Sequence, residues 1–251
     1  MLEIKNLTVK VLDKIILNEF NLTIKTNEIH TLMGLNGSGK STICKVLMGD
    51  DTYKVISGSI FYKGIDLLKL DTTERSRMGL FLVGQNPIEI PGVKNSEMLK
   101  TALESKTGKH ISIFEFSRIM NNVCEKINLD KSFIHRNINE GMSGGEKKKN
   151  ELMHLWVLEP EFIILDEIDS GVDIDNLNII SNSLKEYFDT HECSILIITH
   201  HTNILKNLLP NSVHIIKDGS VIKSGDYSLA DMVEKNGYNS INLVSENECN
   251  E

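Results

Sequence analysis

Apolar residues alternate with polar ones along the first third of the chain. Leu2 and Ile4, then Leu7, Val9 and Val11, then Leu22 and Ile24 fall on single faces, the period-two pattern of half-buried strands. EIHTLMG at 28–34 is a short apolar run ending in glycine, and a helix is predicted from about 40 to 49, stopped by Gly49. GSIFYKGIDL at 58–67 predicts strand and turn, and LFLVG at 80–84 a buried strand. From about 87 to 141 the period changes. NPIEIPGV is rich in turn formers and SEMLKTALESK is helical. Phe116, Ile119, Met120, Val123 and Ile127 then line one helical face. Beyond it come a helix over 145–158, the strand FIILD at 162–166, a helix near 175–188 and the strand SILIIT at 194–199. VHIIKDGSVIKSG predicts a hairpin turning at Asp218-Gly219. Strands alternating with helices predict a mainly parallel α/β sheet covered on both faces. The early strands add an antiparallel β region, and 87–141 an inserted helical subdomain.

A chain of 251 residues suits one such domain. With 40% apolar and 25% charged residues it reads as an ordinary soluble globule. The net charge of −8 disfavours a nucleic-acid clamp, which needs a basic face. The apolar runs are far shorter than the roughly 20 residues of a membrane helix, so no membrane insertion is expected. No leader pattern precedes the first strand. The four cysteines, at 44, 124, 193 and 249, show no paired spacing. Cys44, Cys124 and Cys193 read as core filler in reducing surroundings, and Cys249 lies in a polar tail, 240–251, expected to be loose.

GLNGSGKST at 34–42 follows a predicted strand and opens a predicted helix, matching G-x-x-x-x-G-K-[ST]. Gly34, Leu35, Asn36, Gly37, Ser38 and Gly39 form a loop whose backbone N–H groups can turn toward phosphate oxygens, reinforced by the positive end of the helix. Lys40 suits the β- and γ-phosphates, Ser41 a Mg²⁺ ion, and Thr42 the α-phosphate. A dinucleotide fingerprint fails, because Thr42 stands where its third glycine belongs. FIILDE at 162–167 delivers two acids to a strand end: Asp166 suits Mg²⁺ through water, and Glu167 the activation of an attacking water.

GMSGGEKKKNE at 141–151 is more ambiguous. Ser143 and Glu146 form a capping-box pattern, yet Lys147, Lys148 and Lys149 crowd the first turn. Each exposed cation there opposes the helix dipole by about 0.3–1 kcal/mol. A poorly optimised, solvated helix end is one reading, and an arriving anion is the other.

Taken in order, these stretches resemble the ABC-type ATPases. Ser143 precedes Asp166 by 23 residues, close to the family spacing, and MSGGE resembles the family's signature sequence. Ser170-Gly171-Val172-Asp173 resembles its D-loop, and Thr199-His200 its switch histidine. The resemblance implies that ATP and Mg²⁺ are bound and ATP hydrolysed. It implies that Gln85 joins the Mg²⁺ shell and senses the γ-phosphate, with Lys40, Glu167 and His200 as the other catalytic groups. Two copies would pair transiently head to tail, Ser143, Gly144, Gly145 and Asp173 of one completing the site of the other; the lysines would then serve the anion. No aromatic stands around 10–16 to stack on adenine, so Val11 or Ile15 is expected to offer apolar contact.

Longer stretches, among them NPIEIPGV, GMSGGEKKKNE and LEPEFIILDEIDSGVDIDNL, resemble the SufC branch of this family, which serves iron–sulfur cluster assembly. That likeness implies a catalytic core at 1–86 and 142–251 and a helical subdomain at about 87–141 carrying the partner-docking region. It also implies scaffold partners like SufB and SufD, and a soluble protein of a bacterial cytoplasm or a plastid or apicoplast stroma. The nucleotide-binding subunit of a membrane transporter is the competing reading.

Overall fold

The computed structural model describes residues 1–238. Cys249 and the 240–251 tail lie outside the described residues. The chain begins with β1 (Leu2–Val11), β2 (Lys14–Ile24) and β3 (Ile29–Met33), followed by α1 (Lys40–Met48). β4 (Lys54–Tyr62), β5 (Ile65–Asp66), α2 (Thr72–Arg77) and β6 (Leu80–Val83) lead to the middle segment. That segment holds β7 (Ile90–Lys94), α3 (Asn95–Thr107), α4 (Ile113–Lys126) and β8 (Asn137–Ile138). Then come α5 (Gly144–Leu158), β9 (Phe162–Asp166), α6 (Ile174–Thr190) and β10 (Ser194–Ile198), and last β11 (Ser212–Lys217), β12 (Ser220–Gly225) and α7 (Tyr227–Asn236).

The central sheet has six strands in the order β12-β11-β3-β10-β9-β6, all parallel except β12. A four-stranded antiparallel sheet, β2-β1-β4-β5, lies beside it. Every residue of β3, β9 and β10 is buried, as a parallel sheet covered on both faces requires. Alternation then sorts the side chains. Ile163, Leu165, Ile195 and Ile197 face the core under α4, α5 and α6. Phe162, Ile164, Leu196 and Ile198 face the core between α1 and the antiparallel sheet. Each such side chain contributes about 1.5–3 kcal/mol on full burial, so the strands that deliver Gly34, Asp166 and Thr199 are held from both sides.

The predicted face of α4 is correct: Phe116, Met120, Val123 and Ile127 are buried and Ile119 packs against them partly covered. Leu155, Trp156 and the cysteines at 44, 124 and 193 are core. Three details differ from the sequence reading. The strand placed at 58–67 already starts at Lys54. Part of the turn-rich NPIEIPGV pairs as β7 with β8. Two helices, α2 and α7, carry too short or too polar a stripe to show in the pattern. Helix α2 is instead fixed by a capping box, Asp71 with Glu74, and by Arg75, whose guanidinium donates to the carbonyls of Val46, Leu47 and Leu70. No helix among the described residues is long and apolar enough to cross a membrane.

Candidate active site

Strand β3 ends at Met33 and the chain turns at once into the 34–39 loop. Two glycines there have no substitute. A Cβ on Gly34 would sit 2.4 Å from the Ile216 carbonyl oxygen. Gly39 has φ +107° and its Cβ would meet the Leu17 side chain at 2.8 Å. Lys40 folds back over the loop, its Nζ donating to the carbonyls of Gly34 at 2.8 Å and Leu35 at 3.1 Å. Burial lowers the Lys40 pKa, and the nearby Glu167 and Asp166 oppose that shift. No side chain caps the start of α1 and no acid lies in its first turn. Its N–H groups and its positive end are therefore available to an anion.

The opposite wall comes from β9. Asp166 is buried, which raises its pKa, and the Ser41 hydroxyl donates to its Oδ1 at 3.2 Å. Hydroxyl and carboxylate oxygens this close are the hard donors a Mg²⁺ ion takes. Glu167 adopts φ +49°, with its N–H donating to the Ile198 carbonyl at 2.9 Å. That left-handed turn aims its carboxylate back over the loop. Gln85 Nε2 donates to Glu167 Oε2 at 2.9 Å, His200 Nε2 lies 2.5 Å from Oε1, and Lys40 Nζ lies 4.0 Å away. Sequence reasoning missed the support for His200: Thr199 Oγ1 donates to Asp169 Oδ2 at 2.7 Å and accepts from the His201 N–H at 2.9 Å.

Part of this set borders a cleft of about 480 Å³, whereas Gly34, Leu35, Ser38, Asp166 and His200 are not among its lining residues. The loop and the first turn of α1 form its floor, and Gln85 and Glu167 one wall. The other wall is Lys14 and Ile16, not Val11 or Ile15. Ile15 is 55% exposed although Leu17, two residues on, is buried: the β1–β2 register shifts between Val9↔Leu17 and Lys10↔Ile15, which breaks the alternation there and leaves Ile16 at the cleft. The Lys14 ammonium adds a cation that the sequence reading did not anticipate.

The start of α5 is built differently. The Ser143 hydroxyl accepts from the Glu146 N–H at 3.4 Å, and Glu146 Oε2 accepts from the Ser143 N–H at 2.8 Å. Arg136 Nη1 donates to Glu146 Oε1 at 3.1 Å. Ser143 and Gly144 are exposed. A Cβ on Gly144 would meet the Gly171 carbonyl at 3.4 Å, and one on Gly145 the Asn176 side chain at 3.0 Å. Asp173 is adjacent as the N-cap of α6, accepting from the Asn176 N–H at 2.9 Å. Ser143, Gly144, Gly145 and Asp173 therefore form a second group, and none of them lines the cleft. Two of the lysines do not wait for an anion as expected. Lys147 pairs with Glu89 at 2.6 Å, and Lys148 is buried, donating to the carbonyls of Gly84 and Gln85. Their positive charge is consumed within the molecule.

The model of the ABC transporter family matches residues 17–170. The chain belongs to this family. It is an ABC-type ATPase with a nucleotide-binding fold. The "Probable ATP-dependent transporter ycf16" of Trieres chinensis is 44% identical over 242 residues, covering 95% of this chain and 96% of that one. The "Iron-sulfur cluster assembly protein SufC" of Plasmodium falciparum (isolate 3D7) is 44% identical over 244 residues, covering 95% and 70%. The likeness to SufC read from the motifs thus holds across the chain. Among solved structures, the dimeric ATP-binding cassette MJ0796 bound to ADP and Pi has the same fold, at a TM-score of 0.78 and 24% identity over 90% of this ABC ATPase and 98% of that chain.

Proposed function

We propose that this ABC ATPase is the ATP-hydrolysing subunit of an iron–sulfur cluster assembly machine. In this reading it works with scaffold proteins like SufB and SufD, and ATP-driven pairing of two copies remodels that scaffold. The observation that carries the proposal is the separation of the two groups. The cleft has a phosphate cradle and a held carboxylate, while Ser143 and Gly144 are exposed and do not line it. A second copy, turned head to tail, would close each cleft with Ser143, Gly144, Gly145 and Asp173.

In this reading the loop N–H groups and Lys40 bind the β- and γ-phosphates, and Thr42 the α-phosphate. Ser41, Asp166 and Gln85 hold Mg²⁺, which when bound neutralises charge on the phosphates. Glu167 accepts the proton of a water whose oxygen attacks the γ-phosphorus, as the bond to the β-phosphate oxygen breaks and ADP leaves. Gln85 and His200 fix the carboxylate between them. The step needs the γ-phosphate enclosed, so hydrolysis also ends the pairing.

Co-purification tests the assignment: the chain should bring down SufB- and SufD-like proteins. Capture of an integral membrane permease in their place would support the second reading, a transporter subunit, which the names of relatives such as the Trieres chinensis protein favour.

A further inference from the structure

The loop that carries His200 leaves β10 after Ile198 and is fastened on both sides of the histidine. On the near side, Thr199 is fully buried and donates from Oγ1 to Asp169. On the far side stands Thr202, which is 1% exposed. Its two donors both go to one side chain of the C-terminal helix α7. Thr202 Oγ1 donates to Glu234 Oε2, and the Thr202 N–H to Glu234 Oε1 at 3.4 Å. The Thr202 carbonyl accepts from the Leu205 N–H at 3.0 Å and the Lys206 N–H at 3.2 Å, which opens the next turn. Helix α7 is itself fixed, since Leu229, Ala230 and Val233 are buried in the core. Tyr227, two turns before Glu234 on the same face, brings its hydroxyl to Thr202 as well. Burial and Asp231 raise the Tyr227 pKa, and Thr202 opposes that shift.

A buried backbone N–H and a buried hydroxyl both need partners, and a carboxylate is the stronger acceptor for each. Glu234 meets the two at once, so it fixes the backbone of Thr202 as well as its side chain. His200 depends on that backbone. Its side chain is 27% exposed and stands 2.5 Å from Glu167 Oε1, so packing alone does not set its place. We infer that Glu234 is a positioning residue for His200: through Thr202 it fixes the far side of the 199–202 loop, and α7 thereby sets how the imidazole meets Glu167. The supporting carboxylate comes from the last helix of the fold, more than thirty residues after the histidine it serves.

The kinetic part of this inference rests on the role proposed above for His200; the pinning of the loop does not. The test compares the full-length wild type with Glu234→Ala, with Glu234→Gln, which keeps an acceptor oxygen for the Thr202 hydroxyl, with Thr202→Val and with His200→Ala. Glu234 is exposed, so its replacement leaves the core intact. Hydrogen–deuterium exchange at 200–206 should rise at least fivefold in Glu234→Ala, with β9 unchanged as the internal reference. Its kcat should fall at least fivefold with KM for ATP within twofold, since His200 acts after binding. Glu234→Gln should stay within about twofold of wild type in both readouts. Adding Glu234→Ala to Thr202→Val should change kcat by less than twofold, because the contact is already lost. Unchanged exchange at 200–206 in Glu234→Ala would overturn the inference. So would a fall in kcat of the same size in the Thr202→Val background, since Glu234 would then act elsewhere. With His200→Ala impaired, a wild-type kcat in Glu234→Ala overturns the positioning role. With His200→Ala as active as the wild type, the reading of His200 fails, and exchange alone decides whether Glu234 pins the loop. Should Glu234→Ala fail to fold, Thr202→Val takes its place with the same two readouts and the same limits.

Discussion

The starts of α1 and α5 both carry glycines and lysine, yet they are finished in opposite ways. Helix α1 opens at Gly39 with no side-chain cap and no acid in its first turn. Helix α5 opens on a complete capping box, Ser143 with Glu146, braced by Arg136. An uncapped helix start inside a cleft is costly unless something else meets its N–H groups, and a phosphate does so. A capped start is stable alone and can be offered to the outside. The contrast teaches that the first end leaves its N–H groups to be met from outside the helix, whereas the second meets them itself, as the proposed roles of the two ends require. Lysine use follows the same division. Lys40 stays within reach of the cleft, at 4.0 Å from Glu167, whereas Lys147 and Lys148 are spent on residues 84–89.

Substitutions that make the two ends alike, or disable one of them, sharpen this contrast. The largest effect is expected at the cradle. Lys40→Ala removes the cation and the brace on the Gly34 and Leu35 carbonyls, and nucleotide affinity should fall at least a hundredfold in a titration; wild-type affinity would contradict the role given to Lys40. Next comes Glu167→Gln. It keeps the hydrogen-bonding shape but loses the base, so turnover should drop by about 10²–10⁴-fold while ATP binding persists; undiminished phosphate release would remove Glu167 from that role. Ser143→Arg should leave binding by single copies within twofold and abolish ATP-dependent pairing in sedimentation. A normal dimer would mean that the exposed end of α5 is not the partner surface.

The smallest effect concerns the cap itself. Glu146→Ala should cost about 0.5–2 kcal/mol of stability at neutral pH. The backbone and side chain of Ser143, and then Arg136, hold the Glu146 pKa below its ordinary 4.5. A carboxylate with a depressed folded-state pKa stabilises above its unfolded value and loses that contribution as pH falls through the folded one. The difference in thermal midpoint between wild type and Glu146→Ala should therefore persist down to about pH 4.5 and shrink below it. A difference that grows on acidification would contradict the capping geometry.

Much of this was legible in the sequence because the relevant signals are local. The alternation of β1 and β2, the apolar runs of β3, β9 and β10, and the glycines and Lys40 of the loop each specify structure within a few residues. The meeting of Asp166 with Ser41 follows once β3 and β9 are placed in one parallel sheet. What stayed hidden depends on distant pairing. β7 acquires its partner β8 across more than forty residues of helix and loop, with little alternation to announce it. Helix α2 is held by Arg75 reaching carbonyls of α1, a contact that leaves no periodicity. The lysines after the signature glycines looked like an anion site because their partners, Glu89 and the Gly84 and Gln85 carbonyls, lie some sixty residues earlier. Ile16 lines the cleft in place of Val11 and Ile15 because the β1–β2 register shifts between Val9↔Leu17 and Lys10↔Ile15, an irregularity that the alternation pattern does not announce.

The central claim is that one triphosphate is enclosed by two copies of this chain. A crystal structure of Glu167→Gln grown with ATP and Mg²⁺ tests it most directly. The account predicts a head-to-tail dimer in which Ser143 and the amides of Gly144 and Gly145 from the partner copy lie within hydrogen-bonding distance of the γ-phosphate. A nucleotide fully engaged inside a single copy, with those groups turned elsewhere, would contradict it.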